Sequence, residues 1–252
     1  MKTIHSVTIM LAAVALLAFS APVHAGKMDS RIELSAMQSY VFKTYLQAED
    51  IKIQSKDGAV TLTGIVSENF HKSLAQETVA GLPGVKSVDN RLEIKGAAPT
   101  ANSDAWLRDK VKVALLFHRS VSAASTEVIV KDGIVTLRGD AGSQSQKELT
   151  TEYAKDVEGI KDVKNEMIVS RTSKKTHRTI GEKIDDASIT AQVNMILLNH
   201  RSTSVINTTV KTKRGVVTVG GKAGNAAEKE LVTKLVTDIN GVRNVRNRMT
   251  IE

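Results

Sequence analysis

Gly58–Gly64 reads GAVTLTG. A glycine, a run rich in β-branched residues and a second glycine describe a short strand entered from a turn. The phrase returns as GIVTLRG at Gly133–Gly139 and as GVVTVGG at Gly215–Gly221. An internal repeat fixes the architecture before any local reading does. Counted from the first glycine of each phrase, Gly84, Gly159 and Gly241 all stand twenty-six residues later. They open the related tails GVKSVDNRLEI, GIKDVKNEMIV and GVRNVRNRMTI, in which Asn90, Asn165 and Asn247 recur. Asp29, Asp104 and Asp186 stand twenty-nine residues before the origins, each followed three residues on by Ile32, Leu107 or Ile189. The origins are 75 and 82 residues apart, too long for the common solenoid repeats. Each unit is expected to be a small domain.

Each unit reads as helix, strand, strand, helix, strand. Leu107, Val111, Ala114 and Leu115 form one apolar stripe at helical spacing, as do Ile189, Val193, Ile196 and Leu197. The first unit's stripe, Ile32, Ala36, Ser39 and Tyr40, is weaker. The aspartate ahead of each stripe suits a cap or first turn, where its charge meets the helix dipole. Asp57-Gly58 and Asp132-Gly133 are strong hairpin signals, and Arg214-Gly215 is a weaker one. The second helix carries Leu74 and Leu82, Leu149 and Val157, or Leu231 and Ile239, and the recurring glycine ends it. SQSQ from Ser143 and NAAE from Asn225 resemble capping boxes. In the last strand, Val163, Asn165, Met167 and Val169 alternate with Lys164, Glu166 and Ile168.

The hairpin GIVTLRG, the helix ending at a glycine and the closing V-x-N strand resemble the BON domain family. The resemblance covers residues 29–95, 103–170 and 184–252. It implies an α+β fold of three tandem αββαβ domains, each a three-stranded mixed sheet with two helices on one face. It also implies an envelope protein associated with osmotic stress, and phospholipid surfaces as partners. The first unit is the most degenerate, with Tyr45-Leu46-Gln47 where the others read HRS.

The first 25 residues read as a secretory signal. Met1-Lys2 is basic, Val7–Phe19 is apolar, and Val23 and Ala25 form a small-residue cleavage site before Gly26. The apolar run is short for a membrane span. The expectation is a periplasmic chain, cleaved after Ala25, with no transmembrane segment. The absence of cysteine excludes a disulfide framework.

The net charge of +8 is uneven. Residues 29–95 carry 8 basic and 9 acidic side chains, and residues 103–170 carry 10 and 11. The linker 171–183 carries 5 and 1, and residues 184–252 carry 10 and 6. A basic C-terminal part points to an anionic partner, such as lipid head groups. With both helices on one sheet face, Arg246 and Arg248 are expected on the open face, together with Lys211 or Lys213. Two readings stand for that face: an anion-binding surface, or a solvated face kept charged against aggregation. Trp106, the single tryptophan, lies on a second stripe with Lys110, Val113 and Phe117. That stripe suits shallow insertion at a bilayer interface or packing between neighbouring units. The third unit's counterparts, Ser188, Gln192, Met195 and Asn199, are mostly polar.

No catalytic constellation, phosphate loop, cofactor box or metal-ligand spacing stands out. His118 and His200 occupy equivalent places after the first helix, where a helix dipole favours them. Nucleic acid is a poor partner for an exported chain without a recognition helix or stacking aromatics. The expected function is non-enzymatic binding of anionic phospholipid in support of the envelope under stress. The alternatives are a chaperone-like or protein-interaction module, and ion or osmolyte sensing.

Overall fold

The computed structural model describes residues 22–96, 99–121, 123–170, 183–203 and 208–252. Residues 1–21 of the expected leader and 171–182 of the basic linker lie outside the described residues. Unit 1 comprises α1 (Pro22–Gln38), α2 (Tyr40–Thr44), β1 (Asp50–Lys56), β2 (Ala59–Val66), α3 (Asn69–Ala80) and β3 (Ser87–Ile94). Unit 2 comprises α4 (Asp104–Leu116), β4 (Thr126–Lys131), β5 (Ile134–Ala141), α5 (Gln144–Lys155), β6 (Asp162–Asn165) and β7 (Ile168–Val169). Unit 3 repeats it with α6 (Asp186–Asn199), β8 (Thr208–Lys213), β9 (Val216–Ala223), α7 (Ala226–Thr237), β10 (Asn244–Asn247) and β11 (Thr250–Ile251).

All three sheets share one plan. The hairpin strands pair antiparallel, and the strand after the second helix returns parallel to the central strand. The closing strand is continuous in unit 1 and falls into two short pieces in units 2 and 3. The weak Arg-Gly signal gives the same turn as the two Asp-Gly signals. Asp57, Asp132 and Arg214 have φ of 54°, 54° and 53°, each followed by a glycine with positive φ. Positive φ at both central residues is the turn whose twist matches a hairpin. At Arg214, a side chain without the local hydrogen bonds of Asp or Asn occupies the left-handed region, at a cost of roughly 1 kcal/mol.

The repeated aspartate does more than sit in the first turn. Asp104 accepts from the backbone N–H of Asp132 (2.8 Å) and Gly133 (2.9 Å). Asp186 does the same with Arg214 and Gly215, and Asp29 with Asp57 and Gly58. In units 2 and 3 this carboxylate fixes the start of the first helix to the hairpin turn; in unit 1, whose α1 begins at Pro22, Asp29 makes the same bonds from inside the helix and not from its first turn. The caps themselves are Ser103 and Asp185. The repeated asparagine ties the last strand to the second helix. Asn165 Nδ2 donates to Lys147 O at 2.8 Å while its Oδ1 accepts from Met167 N at 3.0 Å. Asn90 and Asn247 repeat both bonds.

Two departures change the packing. The first helix of unit 1 breaks at Ser39, whose backbone is extended and whose hydroxyl donates to Ala36 O at 2.7 Å. In α5, Leu149 is exposed, and Thr150 and Ala154 face inward. The hydrophobic interior is not three separate cores. Unit 2 has its own, around Leu107, Val135, Leu137 and Met167. Units 1 and 3 share a single core, into which unit 2 contributes Val113 and Phe117. Helix α6 lies in the middle of the assembly. Its predicted stripe is buried, and so are Ser188, Gln192, Met195 and Asn199 on the opposite side.

Candidate functional site

The stripe of Trp106, Lys110, Val113 and Phe117 divides between two environments. Val113 and Phe117 are 1% and 0% exposed, and the Phe117 ring meets Tyr45 of unit 1 edge-on at 5.4 Å. Shallow insertion of these two side chains into a bilayer is therefore corrected. They have no free surface, because they fill the junction between units. Trp106 is half-buried beside unit 2's core, with Lys110 Nζ 4.1 Å from its ring centroid. The polar counterparts in unit 3 are buried between the other two units: Glu158 N of unit 2 donates to Asn199 O, and unit 1 docks along the rest of the helix. Tyr40 N donates to Asp185 Oδ2 (2.8 Å), Val41 N to Ser188 Oγ (3.1 Å), and Asn194 Nδ2 to Glu77 Oε2 (2.7 Å).

The repeated histidines are part of a clasp between units 2 and 3. His118 is 2% exposed and stacks on Tyr153 of α5, with centroids 3.8 Å apart. Its Nδ1 stands 3.2 Å from Asp238 Oδ2 at the end of α7. Asp238 also accepts from Tyr153 OH at 2.7 Å and from Ser120 Oγ. The reciprocal pair sets His200 Nε2 3.5 Å from Asp156 Oδ2. Arg119 N donates to Asp238 O and Arg201 N to Asp156 O, both at 2.9 Å. Isolated bridges join His118 with Ile239 and Val157 with His200. The histidine–aspartate pairs, the arginine N–H bonds and the bridges each have a counterpart with the units exchanged, the pattern of an isologous interface within one chain. The Tyr153 and Ser120 contacts are made on the Asp238 side alone. The helix dipole alone does not account for these histidines.

Burial pushes the Asp238 carboxyl up, and its contacts with His118, Ser120 and Tyr153 pull it further down, so it lies below the ordinary carboxylate range. His200 holds Asp156 low against partial burial. Burial and the neighbouring Asp238 push the Tyr153 phenol well above its usual value. Asp156, Asp238 and Tyr153 escaped the sequence reading. A signal for the aspartates existed: each stands twenty-three residues after the turn glycine, as each histidine stands fifteen before it. In that register unit 1 has Lys43-Thr44-Tyr45 in place of HRS, two residues earlier than Tyr45-Leu46-Gln47, and Gly81 in place of the aspartate.

The predicted basic residues lie together. Lys211 and Lys213 on β8 and Arg246 on β10 are exposed on the sheet face away from the helices, and Arg248 continues the row just past β10. Lys211 and Arg246 flank Thr218 in register. None of the four forms an ion pair among the described residues. Strands β8, β9 and β10 contain no carboxylate. Lys222 lies farther along, paired with Glu252 at 3.1 Å. The corresponding face of unit 2 mixes Glu127, Asp140, Asp162 and Glu166 with Lys131, Arg138 and Lys164, and pairs Arg138 with Glu166 at 2.8 Å. Along a strand, alternate residues stand about 7 Å apart, and a cation two strands away roughly 10 Å. Four unpaired cations at that spacing on a flat sheet match a surface of separate anionic groups, whereas one small anion needs convergent donors.

Among the described residues no cluster of three or more His, Asp or Glu is arranged to hold a metal, and no helix is long and apolar enough to cross a membrane. Over 143 residues the chain is 29% identical to osmotically-inducible protein Y of Escherichia coli, covering 55% of this chain and 71% of that protein. Over 115 residues it is 28% identical to a 21 kDa hemolysin of Actinobacillus pleuropneumoniae, covering 45% and 59%. The C-terminal domain of CdsD, a structural protein of the type III secretion system of Chlamydia trachomatis, is 18% identical over 91% of this chain and 96% of that one. Its TM-score of 0.23 is too low for the two arrangements to be compared. The BON domain matches residues 29–96, 103–171 and 185–252. Three matched units, each with its hairpin turn, aspartate clamp and closing asparagine, make this chain a member of the BON domain family.

Proposed function

We propose that this is an exported, non-enzymatic protein of the bacterial envelope that binds anionic phospholipid surfaces peripherally and supports the envelope under osmotic or other stress. The observation that carries this reading is the outer sheet face of unit 3, where Lys211, Lys213, Arg246 and Arg248 are exposed without ion pairs. The basic linker 171–183 adds charge on the same side of the sequence. Export to the periplasm, with cleavage after Ala25, is supported by the basic start, the Val7–Phe19 run and the small-residue site. The stress role is supported by the name of the relative from Escherichia coli.

Each cation near an anionic surface contributes on the order of 1 kcal/mol, so the four together favour the bound state by about a thousandfold. Salt screens such contacts. Co-sedimentation with vesicles tests the proposal. Binding to phosphatidylglycerol-containing vesicles at low salt, lost at about 0.5 M salt and absent with purely zwitterionic vesicles, is the expected result. A protein that stays in the supernatant with anionic vesicles at low salt sinks the proposal.

A further inference from the structure

Two adjoining depressions follow the line where the three units meet. The larger, about 370 Å3, is walled by Phe70 of α3, by Trp106, Lys110 and Val113 of α4, and by Met195 and Leu198 of α6. The smaller, about 290 Å3, shares Ser73, Met195 and Leu198 with it and continues toward Gln76 and Glu77. Together they form an elongated trough, apolar around Phe70, Trp106 and Leu198 and polar toward Gln76, Glu77, Asn194 and Thr208. The larger one alone is of small-molecule size. Leu198 is 58% exposed on the most deeply buried helix of the molecule, so a large apolar side chain is presented to the trough.

The charges around the trough are unequal in how well they are met. Asp109 is bound by Arg108 at 2.8 Å, and Glu77 accepts from Asn194 at 2.7 Å. Lys110 is different. Its side chain is only 13% exposed, yet its one ion pair is to Glu158 at 3.5 Å, whose side chain is 73% exposed. The Trp106 ring supplies a cation–π contact. A cation drawn this far out of water is stabilised best by a close, hydrogen-bonded anion, and a carboxylate held at that distance in solvent is a weak one.

We infer that this trough is a binding site for a single-chain anionic amphiphile. Its acidic head group takes the place of Glu158 at Lys110, and its tail lies along Phe70, Trp106 and Leu198. The site is on the helical side of the assembly and does not rest on the basic sheet face of unit 3.

Trp106 is the only tryptophan in the chain, so its emission reports occupancy. The full chain is titrated with sodium laurate below its micelle concentration, and in parallel with the uncharged monolaurin. The expected result is a saturable change in Trp106 emission with laurate, and at least tenfold weaker binding of monolaurin. Lys110→Met and Lys110→Gln should each weaken laurate about tenfold and leave monolaurin unchanged. Leu198→Glu, a change at an exposed position, should abolish both titrations while the thermal transition stays that of the parent. Lys211→Gln with Arg246→Gln should lower vesicle binding and leave the laurate titration as it was, which separates this site from the sheet face. No saturable response to laurate, equal affinity for laurate and monolaurin, or parental laurate affinity in both Lys110 variants would each overturn the inference.

Discussion

Units 2 and 3 each place a histidine fifteen residues before the turn glycine and an aspartate twenty-three after it; unit 1 has Lys43 and Gly81 at those places. The scaffold residues are the same in all three. The difference lies in how the units join. Units 2 and 3 meet face to face, with each histidine opposite the other unit's aspartate. Unit 1 instead lays α3 against α6, and a Cβ on Gly81 would come within 3.3 Å of Ala187 Cα and Cβ. An aspartate at position 81 would crowd Ala187 and would find Lys43 where the other units place a histidine. Two positions outside the scaffold therefore decide which pairs of units clasp and which one docks by close helix packing.

Breaking the clasp at its better-buried half should have the largest effect. Asp238→Ala leaves His118, Ser120 and the Tyr153 hydroxyl facing an empty place in a closed interface. A loss of roughly 3 kcal/mol is expected in urea denaturation. A loss below about 0.5 kcal/mol, the level of an ordinary surface change, would show that the clasp contributes nothing. Gly81→Asp gives unit 1 the side chain of the other two and should cost about 1–3 kcal/mol by overpacking against Ala187. If it instead stabilised the protein, unit 1 would be able to form the clasp after all. Asp156→Ala should cost about 1 kcal/mol, less than its twin, because Asp156 is more exposed and its histidine stands farther away. Equal losses at the two positions would mean that exposure does not distinguish them.

The pH dependence sharpens the same contrast. Both aspartates have lowered pKa values in the folded chain. Their contribution is present above the ordinary carboxylate value, about 3.9, and is lost as pH falls through the lowered values. The stability difference between the parent and Asp238→Asn should shrink as pH falls below about 4. A difference that holds constant from pH 7 to pH 3 would contradict the assignment.

The features legible in the sequence are those in which a single unit satisfies itself. The hairpin turns, the first-helix stripes of units 2 and 3 and the outward alternation of Lys211, Lys213 and Arg246 depend on local period and turn chemistry. The second helices, by contrast, end at Ala80, Lys155 and Thr237, so that Gly84, Gly159 and Gly241 stand four residues past them and Leu82, Val157 and Ile239 are buried from the following turn. What was not legible depends on a second unit. Val113 and Phe117 read equally as membrane-facing or unit-facing, and only the placement of units 1 and 3 decides it. Ser188 and Gln192 read only as polar counterparts of Trp106 and Lys110, because nothing local shows that neighbouring units bury them. Asp156 and Asp238 recur at a fixed offset, but their partners are in the other unit, so no motif within one repeat reveals them. The break at Ser39 also hid the true register of Lys43.

The most direct test of the account replaces the four unpaired cations of the unit 3 face, Lys211, Lys213, Arg246 and Arg248, by glutamine. As a control, Lys131 and Lys164 on the matching face of unit 2 are replaced in the same way. Partition onto phosphatidylglycerol vesicles at low salt is then measured for both proteins, alongside their urea transitions. The account predicts that the unit 3 variant loses binding by two to three orders of magnitude, on the order of 1 kcal/mol per cation, with its transition unmoved. The unit 2 variant should bind within about threefold of the parent, the lesser effect expected of cations on a face of mixed charge. Equal losses in the two variants, or a unit 3 variant that binds like the parent, would contradict it.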